Sequence, residues 1–361
     1  MINSTLIDIS IIIIVTFLST IILIPKIIHF AELNSVMQKP NYRSSHNLPT
    51  ASIGGLIFIP ILIIGTLSFA GLNKISVACL SALVIALVGY LDDKYNLNFK
   101  IKFLVQFTLA GLLCSNGFHF KNLHEIFGIN EIPVLISIVI SVLFIVALTN
   151  AYNLIDGING LASSLSIIAF IVFAIIFWIQ GKMEFTIISL MIVSALVGFL
   201  FFNLKPARIF LGDTGSLCLG LLISIFFIEL FNFNNVKHSL ISLSILLIPV
   251  GDMIRLFTLR ILKGKSPFEA DKNHYHHLLI KLNNNHIKAT LTCCSITIIN
   301  LLIIISISSK ISLLTGLSIN LVSGIATYIF IHSKYTLNSK NKIDKLKISI
   351  QRIRETNVLL K

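Results

Sequence analysis

The feature of this sequence that most limits its fold is a series of apolar runs, each long enough to cross a lipid bilayer. A spanning helix needs about 20 mostly apolar residues. About eleven such runs follow one another along the chain, near residues 6–30, 53–71, 75–91, 103–120, 132–151, 161–180, 185–203, 217–233, 238–254, 291–309 and 311–333. The sequence therefore predicts an all-α polytopic membrane protein of about 10–11 transmembrane helices.

Composition supports this prediction and excludes other classes of protein. Hydrophobic residues make up 55% of the 361 residues, and charged residues make up only 12%, about half of the charged share of a globular domain. A soluble enzyme, a nucleic-acid-binding domain and a disordered scaffold are therefore excluded. The five cysteines form no CxxC pair, so the sequence indicates neither a disulfide framework nor a zinc site.

The basic residues predict how the chain is oriented. Of the 28 Lys and Arg, 23 fall in loops on one side of the predicted membrane, and the opposite loops hold only Lys74, Lys121, Lys182, Lys237 and Lys310. Cytoplasmic loops carry the excess of Lys and Arg. We therefore expect the N-terminus outside and the C-terminus in the cytoplasm. The net charge of +13 is then explained by a lipid bilayer as partner, with no need for nucleic acid.

No internal repeat or low-complexity linker divides the chain. Residues 1–333 are predicted to form a single integral membrane domain, followed by a basic tail at 334–361. The tail alternates Ile and Leu with Lys and Arg, so it either lies along the anionic inner leaflet as an amphipathic helix or forms a solvated basic end. The first apolar run lacks a basic leader region and a small-residue cleavage site, which favours a retained helix over a signal peptide.

Six acidic residues fall on the predicted cytoplasmic side, several of them at the inner ends of different helices. They are Asp92, Asp93, Asp156, Asp213, Asp252 and Asp271. A charge at a membrane boundary is costly unless it is hydrated, paired or bound to a cation, so it is a functional-site hypothesis by default. A single such residue is often explained by interfacial solvation alone, but convergence of six on one face favours a site.

Two of the acidic strings suggest a bound cation or ligand. Asp92 and Asp93 are adjacent at the end of the third predicted helix, and two neighbouring carboxylates stay ionised cheaply only beside a counter-cation such as Mg²⁺. The next inner loop reads Asn-Leu-Ile-Asp-Gly-Ile-Asn-Gly from Asn153 to Gly160, and its glycines allow close approach of the backbone to a ligand. Part of this string could instead cap the following helix.

Two further loops suggest recognition of phosphate. Gly-Asp-Thr-Gly-Ser, from Gly212, precedes a predicted helix, and free amides at a helix N-terminus attract phosphate, although Thr214 or Ser216 could simply cap that helix. In the largest loop, Asp271, His274 and His277 recur at i, i+3 and i+6. That spacing favours binding of a polyanion among the surrounding Lys and Arg, with zinc ligation or an interfacial histidine cluster as alternatives.

Together, these four strings resemble the signatures of the polyprenyl-phosphate N-acetylhexosamine-1-phosphate transferases (glycosyltransferase family 4). The resemblance runs from about residue 39 to residue 279, with the motifs in the same order and on one membrane face. It implies a single catalytic domain with a cytoplasmic active site that depends on Mg²⁺, for which Mn²⁺ could substitute. It also implies transfer of a sugar 1-phosphate from a UDP-sugar to undecaprenyl phosphate, with release of UMP.

The resemblance also assigns roles to residues. Asp92 and Asp93 match an acidic pair for Mg²⁺ binding and acceptor activation, and Asp213 matches a metal ligand, so Asp93 and Asp213 are the expected ligands. The residues expected to bind substrate are Arg43, His46, Lys102, Asn153, Asp156, Asn159, Arg255, Asp271, His274, His276 and His277. The acceptor phosphate is largely ionised at neutral pH, with a second pKa of about 6. A general base is therefore optional, and Asp92 is the candidate.

The sequence departs from the family pattern at Asn159, where many members carry a second Asp. An amide can donate a hydrogen bond or offer an oxygen to a cation, but it cannot act as a base. An essential proton transfer at this position is therefore not expected in this protein.

The sugar and the pathway are less constrained. The HxHH loop resembles members that use UDP-N-acetylglucosamine more than those that use UDP-N-acetylmuramoyl-pentapeptide, whose loop reads HHH. We therefore expect transfer of N-acetylglucosamine 1-phosphate in the bacterial inner membrane, as the first step toward O antigen, capsule or teichoic acid. The alternative donors are another UDP-N-acetylhexosamine and UDP-N-acetylmuramoyl-pentapeptide. Assembly of the protein as a homodimer also stays open.

Two other classes of function compete with this prediction. A secondary transporter would carry charged residues and broken helices near the middle of the bilayer, and the apolar runs are nearly free of acids, with Glu229, close to an outer end, as an exception. A non-catalytic scaffold that binds lipid or sugar nucleotide is the second alternative.

Overall fold

A computed structural model gives the fold and describes residues 2–38, 49–68, 73–121, 133–204, 206–266, 274–283 and 285–359. Within these ranges the chain forms thirteen α-helices, a 3₁₀ helix at Gly54–Ile57 and one short antiparallel ladder of Met37–Gln38 (β1) with Thr50–Ala51 (β2). The predicted all-α class is confirmed. The helices are α1 (Ile2–Leu33), α2 (Phe58–Ser68), α3 (Lys74–Tyr95), α4 (Phe99–Ser115), α5 (Val134–Ile155), α6 (Leu161–Ile179), α7 (Met183–Asn203), α8 (Gly212–Phe231), α9 (Val236–Ile245), α10 (Leu247–Leu262), α11 (Tyr275–Asn283), α12 (His286–Ile307) and α13 (Leu313–Leu359).

Eight of the described helices are long and apolar enough to cross a membrane: α1, α3, α5, α6, α7, α8, α12 and α13. The three other predicted spans are helical but differ in length or shape. The apolar segment Gly54–Leu67 is short, α4 has 17 residues, and α9 and α10 form one broken span with a bend of 65°. Pro249 accounts for the bend, because proline has no N–H to donate to the carbonyl of Ile245 one turn earlier.

Helix α13 passes through the predicted boundary between domain and tail at residue 333. It is a single helix of 47 residues, of which Leu313–Leu337 is apolar enough to span a membrane. The division into a membrane domain and a basic tail stays a prediction, as do both placements of that tail, along the inner leaflet or in solvent.

Helix α8 lies at the centre of the bundle. In its most apolar stretch 100% of the residues are buried, whereas the share of buried residues is 17% in the corresponding stretch of α1 and 22% in that of α13. Glycines allow its N-terminal turn to approach other segments at backbone distance. A Cβ on Gly89 of α3 would overlap with the backbone of Asp213, and a Cβ on Gly55 would overlap with the backbone of Gly215. The end of α3 that was predicted to face the cytoplasm, called the inner end below, is therefore held directly against the start of α8.

Backbone hydrogen bonds tie the segment before α8 to the first inner loop. The Phe210 amide donates to the Ala51 carbonyl at 2.7 Å, and the amides of Gly54 and Gly55 donate to the carbonyls of Phe210 and Leu211 at 2.9 Å each. These bonds fix the entry into α8 from two sides. The first inner loop is thereby placed next to the Gly-Asp-Thr-Gly-Ser string, although Arg43 and His46 lie outside the described residues.

The loops assigned to opposite sides of the membrane lie at opposite ends of the bundle. At one end, the Lys74 ammonium meets the Glu229 carboxylate at 2.6 Å, and the Lys121 amide donates to the Asn232 side chain at 3.0 Å. At the other end, the inner ends of α3, α4 and α5 meet the start of α8. This is the end that carries the acidic motifs.

Candidate active site

Asp93 of α3 caps the N-terminus of α8. Its Oδ1 accepts a hydrogen bond from the Asp213 amide at 3.0 Å, and its Oδ2 accepts from the Thr214 amide at 2.9 Å and from the Thr214 hydroxyl at 2.6 Å. These amides have no partner within their own helix, so a carboxylate there satisfies them and interacts favourably with the helix dipole. The cap therefore comes from a neighbouring helix, whereas the sequence suggested Thr214 or Ser216.

Lys102 of α4 joins two of the predicted acids. Its ammonium lies 2.6 Å from Asp92 Oδ2 and 3.0 Å from Asp213 Oδ2. Burial lowers the pKa of Lys102, but the carboxylates of Asp213 and Asp92 raise it by more, so the side chain stays charged. The side chains of Lys102 and Asp213 are 23% and 25% exposed. A small ligand can therefore reach the two groups without unfolding of the bundle.

Asn153, at the inner end of α5, orients the other oxygen of Asp213. The Asn153 amide donates to Asp213 Oδ1 at 2.8 Å and to the Ser216 hydroxyl oxygen at 3.0 Å. One turn earlier, the Asn150 amide donates to the Gln106 side chain of α4 at 2.6 Å. Both oxygens of Asp213 are thus engaged, and α4, α5 and α8 are connected by polar side chains at the site.

Asp156 adds a fourth carboxyl group to this cluster. It follows the end of α5, and its pKa is raised well above its ordinary value by burial and by the nearby carboxylates of Asp213 and Asp93. The acid cluster, defined as Asp92, Asp93, Asp156 and Asp213, therefore has more negative groups than Lys102 alone offsets. Such a cluster favours a bound cation, or protons in its place.

These oxygen donors fit a Mg²⁺ ion whose coordination shell is completed by water and by the phosphates of a substrate. Asp92 and Asp213 direct carboxylate oxygens at a common point, now taken by the Lys102 ammonium, and Mg²⁺ typically uses one or two carboxylates together with water and substrate phosphates. Among the residues that the structure describes, no group of three or more His, Cys, Asp or Glu side chains could hold a metal by itself. Asp93 is engaged by three donors, so these contacts favour Asp92 over Asp93 beside Asp213, and ligation by Asp93 stays a prediction.

The second inner region is built around Asp252 of α10. Asp252 Oδ2 lies 2.9 Å from His274 Nδ1, Oδ1 accepts from Arg255 Nη2 at 2.7 Å, and both oxygens lie 3.2 Å from the Tyr275 amide at the start of α11. Asp252 thus caps α11 and fixes one ring nitrogen of His274. Asp271 lies outside the described residues, so its predicted alignment with His274 and His277 stays a prediction.

The three histidine rings form a compact cluster beside the acid cluster, in which the rings of His274 and His276 are stacked. The ring centroids of His274 and His276 are 5.4 Å apart, and those of His276 and His277 are 4.3 Å apart. His276 also packs on Gly157, where a Cβ would overlap with the ring. Burial, followed by the neighbouring His277 and His274, lowers the pKa of His276 well below its ordinary value. The structure therefore brings the predicted histidines next to the loop of Asp156.

Three hydrogen bonds near the site, two of Asn203 and one of Asn159, were not predicted from the sequence. Asn203, at the end of α7, accepts from the Gly160 amide at 2.6 Å and donates to the Ile209 carbonyl at 2.8 Å, so it ties the Asp156 loop to the segment before α8. The backbone of Asn159 faces α12, because its carbonyl accepts from the Thr290 hydroxyl at 2.9 Å. The only sequence signal for Asn203 is an amide at the end of an apolar run.

Comparison with known proteins places this site in context. A family model described as glycosyl transferase family 4 matches residues 75–231, which contain the whole acid cluster and Lys102. A Bacillus subtilis (strain 168) protein named "Probable undecaprenyl-phosphate N-acetylglucosaminyl 1-phosphate transferase" is 34% identical over 296 residues, covering 79% of this chain and 81% of that protein.

Two further relatives carry related names. Undecaprenyl-phosphate alpha-N-acetylglucosaminyl 1-phosphate transferase of Salmonella typhi is 30% identical over 256 residues, covering 68% of this chain and 69% of that protein. Phospho-N-acetylmuramoyl-pentapeptide-transferase of Staphylococcus saprophyticus is 31% identical over 294 residues, covering 76% of this chain and 90% of that protein. These matches confirm the family that the sequence motifs predict.

Proposed function

The chain belongs to glycosyl transferase family 4, and we propose that it transfers N-acetylglucosamine 1-phosphate from UDP-N-acetylglucosamine to undecaprenyl phosphate, with release of UMP. The relatives named for this reaction, at 34% and 30% identity, support this choice. The relative named for transfer of phospho-N-acetylmuramoyl-pentapeptide, at 31% identity, supports the second candidate, in which the donor is UDP-N-acetylmuramoyl-pentapeptide.

The observation that carries the proposal is the contact of one lysine with two carboxylates at the reachable end of α8. Phosphoryl transfer depends mainly on positioning and on neutralisation of charge. A UDP-sugar and a lipid phosphate bring several negative charges together, so the site must supply mobile positive charge. The Lys102 ammonium, shared by Asp92 and Asp213, can exchange a carboxylate partner for a phosphate oxygen.

We expect Mg²⁺ to act at Asp213, with Asp92 or Asp93 as the second ligand and with Mn²⁺ as a substitute. When bound there, the cation neutralises phosphate charge and polarises the phosphorus–oxygen bond that breaks. Asn153 holds the orientation of Asp213, and Asp93 holds the helix that carries it. Asn153 and Asp93 therefore fix the position of Asp213, the expected metal ligand, before substrate arrives.

The acceptor phosphate supplies the nucleophile. One of its oxygens attacks the phosphorus that bears the sugar. The bond from that phosphorus to the oxygen that bridges to the uridine phosphate breaks, and UMP leaves with the bridging oxygen and the electron pair. The acceptor phosphate is largely ionised at neutral pH, since its second pKa is about 6. Asp92, the member of the acid cluster whose Oδ2 accepts from Lys102, is placed to take the remaining proton when the phosphate arrives singly ionised.

The membrane setting follows from the substrates. The acceptor lipid stays in the bilayer, and the nucleotide arrives from the aqueous side, so the site must lie at a membrane boundary. We infer that this boundary is the cytoplasmic face of a bacterial inner membrane, because the loops on the side of the site carry 23 of the 28 Lys and Arg. The product then initiates assembly of a cell-envelope polysaccharide.

The test is release of UMP by the purified protein in detergent, with undecaprenyl phosphate, Mg²⁺ and a panel of UDP-sugars. We expect UDP-N-acetylglucosamine to give the highest kcat/KM and omission of the divalent cation to abolish turnover. Preference for UDP-N-acetylmuramoyl-pentapeptide would establish the second candidate. Binding of UDP-sugars without UMP release from any of them would refute the enzyme and favour a scaffold.

A further inference from the structure

The C-terminal membrane helix α13 contacts the histidine region through an aromatic side chain. The Tyr328 ring lies under the Arg255 guanidinium, with 5.4 Å from Arg255 Cζ to the ring centroid. On the histidine side, Arg255 Cζ lies 4.6 Å from the centroid of the Tyr275 ring. The planar cation of Arg255 is therefore in contact with two aromatic rings, one on α11 and one on α13.

These contacts hold the Arg255 side chain in the protein interior. Its side chain is only 10% exposed and pairs with Asp252, whose side chain is 2% exposed. Arginine stacks on aromatic faces while it keeps directional hydrogen bonds to a carboxylate. The described contacts give Arg255 a supporting role toward Asp252, and its direct binding of substrate stays a prediction.

Asp252 connects Arg255 to the histidine region. The same carboxylate that accepts from Arg255 holds His274 Nδ1 at 2.9 Å and the Tyr275 amide at 3.2 Å. Movement of Arg255 would therefore shift the start of α11 and the ring of His274, on which His276 stacks. A second contact of α13 points the same way, since Lys281 of α11 lies 5.8 Å from the centroid of the Tyr335 ring.

We propose that Tyr328 is a positioning residue for the sugar nucleotide: through Arg255 and Asp252 it fixes His274 and the N-terminus of α11 in the geometry that binds the donor. This inference rests on the proposed function for the assignment of the histidines to the donor. The aromatic ring is the active part, since its face attracts the guanidinium, and the Tyr328 hydroxyl is not needed. Helix α13 thereby contributes to donor binding although it carries none of the motif residues.

The kinetic test compares three variants in the UMP-release assay. Tyr328→Leu removes the ring and should raise the KM for the UDP-sugar about fivefold, in line with the strength of a partly buried cation–π contact, with kcat and the KM for undecaprenyl phosphate within twofold of wild type. Tyr328→Phe keeps the ring and should match wild type. Phe330→Leu is the matched control, because it removes an aromatic ring that is 46% exposed on the same helix, and it should also match wild type.

Arg255→Lys approaches the same contact from the other side, since it keeps the charge and loses the planar group. It should raise the donor KM at least as much, because it also weakens the contacts of Arg255 with Tyr275 and Asp252. Tyr328→Leu should add little to it, because the stacking of Arg255 on Tyr328 is already lost. Additive effects of the two substitutions would contradict the proposal. So would a fall in kcat at unchanged donor KM in Tyr328→Leu, because that pattern would indicate a general structural role.

A measurement without substrate separates this inference from the proposed function. Hydrogen–deuterium exchange of residues 274–283 should accelerate in Tyr328→Leu and stay unchanged in Tyr328→Phe and Phe330→Leu, because the capped start of α11 loosens when Arg255 is released. Unchanged exchange in Tyr328→Leu would overturn the positioning role even in an active enzyme. Failure of the wild type to release UMP from any UDP-sugar would overturn the proposed function and leave the exchange result to decide the role of Tyr328.

Discussion

The two ends of α8 show the same pairing of lysine with carboxylate, used for different purposes. At the outer end, Lys74 of α3 pairs with Glu229 at 2.6 Å, and the Lys74 ammonium also lies 4.9 Å from the centroid of the Phe118 ring. There one positive group meets one negative group. At the inner end, Lys102 is divided between Asp92 and Asp213, with Asp93 and Asp156 close by.

The comparison shows that charge balance, more than burial, separates a structural ion pair from a site. The Glu229 side chain is 9% exposed and the Asp92 side chain is 11% exposed, so both carboxylates are nearly buried. The outer pair needs nothing further, whereas the inner cluster retains uncompensated negative charge that a cation can offset. Glu229, the acid near the outer end of a predicted span, is thus accounted for by its pairing with Lys74. This pairing removes the sequence feature that could have favoured a transporter.

The largest expected difference between the two ends concerns Asp213 and Glu229. Asp213→Asn keeps the size of the side chain but removes the charge that would hold a cation, so kcat for UMP release should fall about 10³-fold, comparable with loss of a central electrostatic contact in other enzymes. Glu229→Gln, the matched control at the outer end, should leave kcat within twofold. Equal losses in the two variants would contradict the assignment of the site to the inner end.

The lysines provide a second and smaller contrast. Lys102→Gln removes the ammonium that offsets phosphate charge, and kcat should fall about 10²-fold, the lower range for loss of one charge-stabilising group. Lys74→Gln changes the same residue type at the outer end and should leave kcat within twofold. The measurement is UMP release at saturating UDP-sugar. Retention of full turnover by Lys102→Gln would show that the ammonium has a structural role alone.

The outer pair should instead appear in thermal stability. Lys74→Met leaves Glu229 without its cation in a nearly buried position, and removal of one partner from a buried pair is strongly destabilising. We expect the Tm of the detergent-solubilised protein to fall by about 5 °C, with kcat within twofold when measured well below the Tm. Recovery of the Tm in Lys74→Met combined with Glu229→Leu would identify the unpaired carboxylate as the cause.

Acidification should destabilise the inner end through His276. The folded protein holds His276 neutral, with its pKa lowered by burial and by His277 and His274, whereas the unfolded chain binds a proton below about pH 6.5. Stability contributed by this group is therefore present above pH 6.5 and is lost as the pH falls below it, by at most about 1.4 kcal/mol per pH unit. The Tm should fall between pH 7.5 and 5.5, and less so in His276→Gln. An equal fall in both proteins would contradict the role of His276.

The smallest expected effect is that of restoring the acid that many family members carry. Asn159→Asp should change kcat less than about threefold, because the described contacts of Asn159 run through its backbone carbonyl and amide, toward Thr290 and His286, and those groups are unchanged by the substitution. UMP release across pH 6–9 is the measurement. A tenfold gain would show that a charge at this position takes part in the reaction after all.

The order and apolar composition of the membrane helices could be predicted from the sequence, because the length of an apolar run directly reflects the thickness of the bilayer. Their number could not, since in the described residues eight of the eleven predicted runs form a helix long enough to span a membrane. The meeting of the acids at one end could also be predicted, since the runs alternate in direction. What could not be predicted was the division of labour between Asp92 and Asp93. Consecutive residues point about 100° apart on a helix, so the packing angle of α3 decides that one carboxylate faces Lys102 and the other faces the start of α8.

The contacts made by Asn203, Arg255 and Tyr328 were missed for a similar reason. Each depends on an approach between segments that are far apart in sequence, and an apolar run with one polar or aromatic residue gives no signal of its partner. The break between α9 and α10 left a stronger signal, a proline within the run, but the run was still long and apolar enough to be taken as a straight span.

The position of Lys102 between two carboxylates also affects how the helices of this protein assemble in the membrane. Several acidic groups must be buried together as the newly made helices come into contact, and unshielded they would repel one another. With Lys102 already on Asp92 and Asp213, the chain brings its own counter-charge, so these acidic groups can be buried together during assembly of the bundle without a divalent ion.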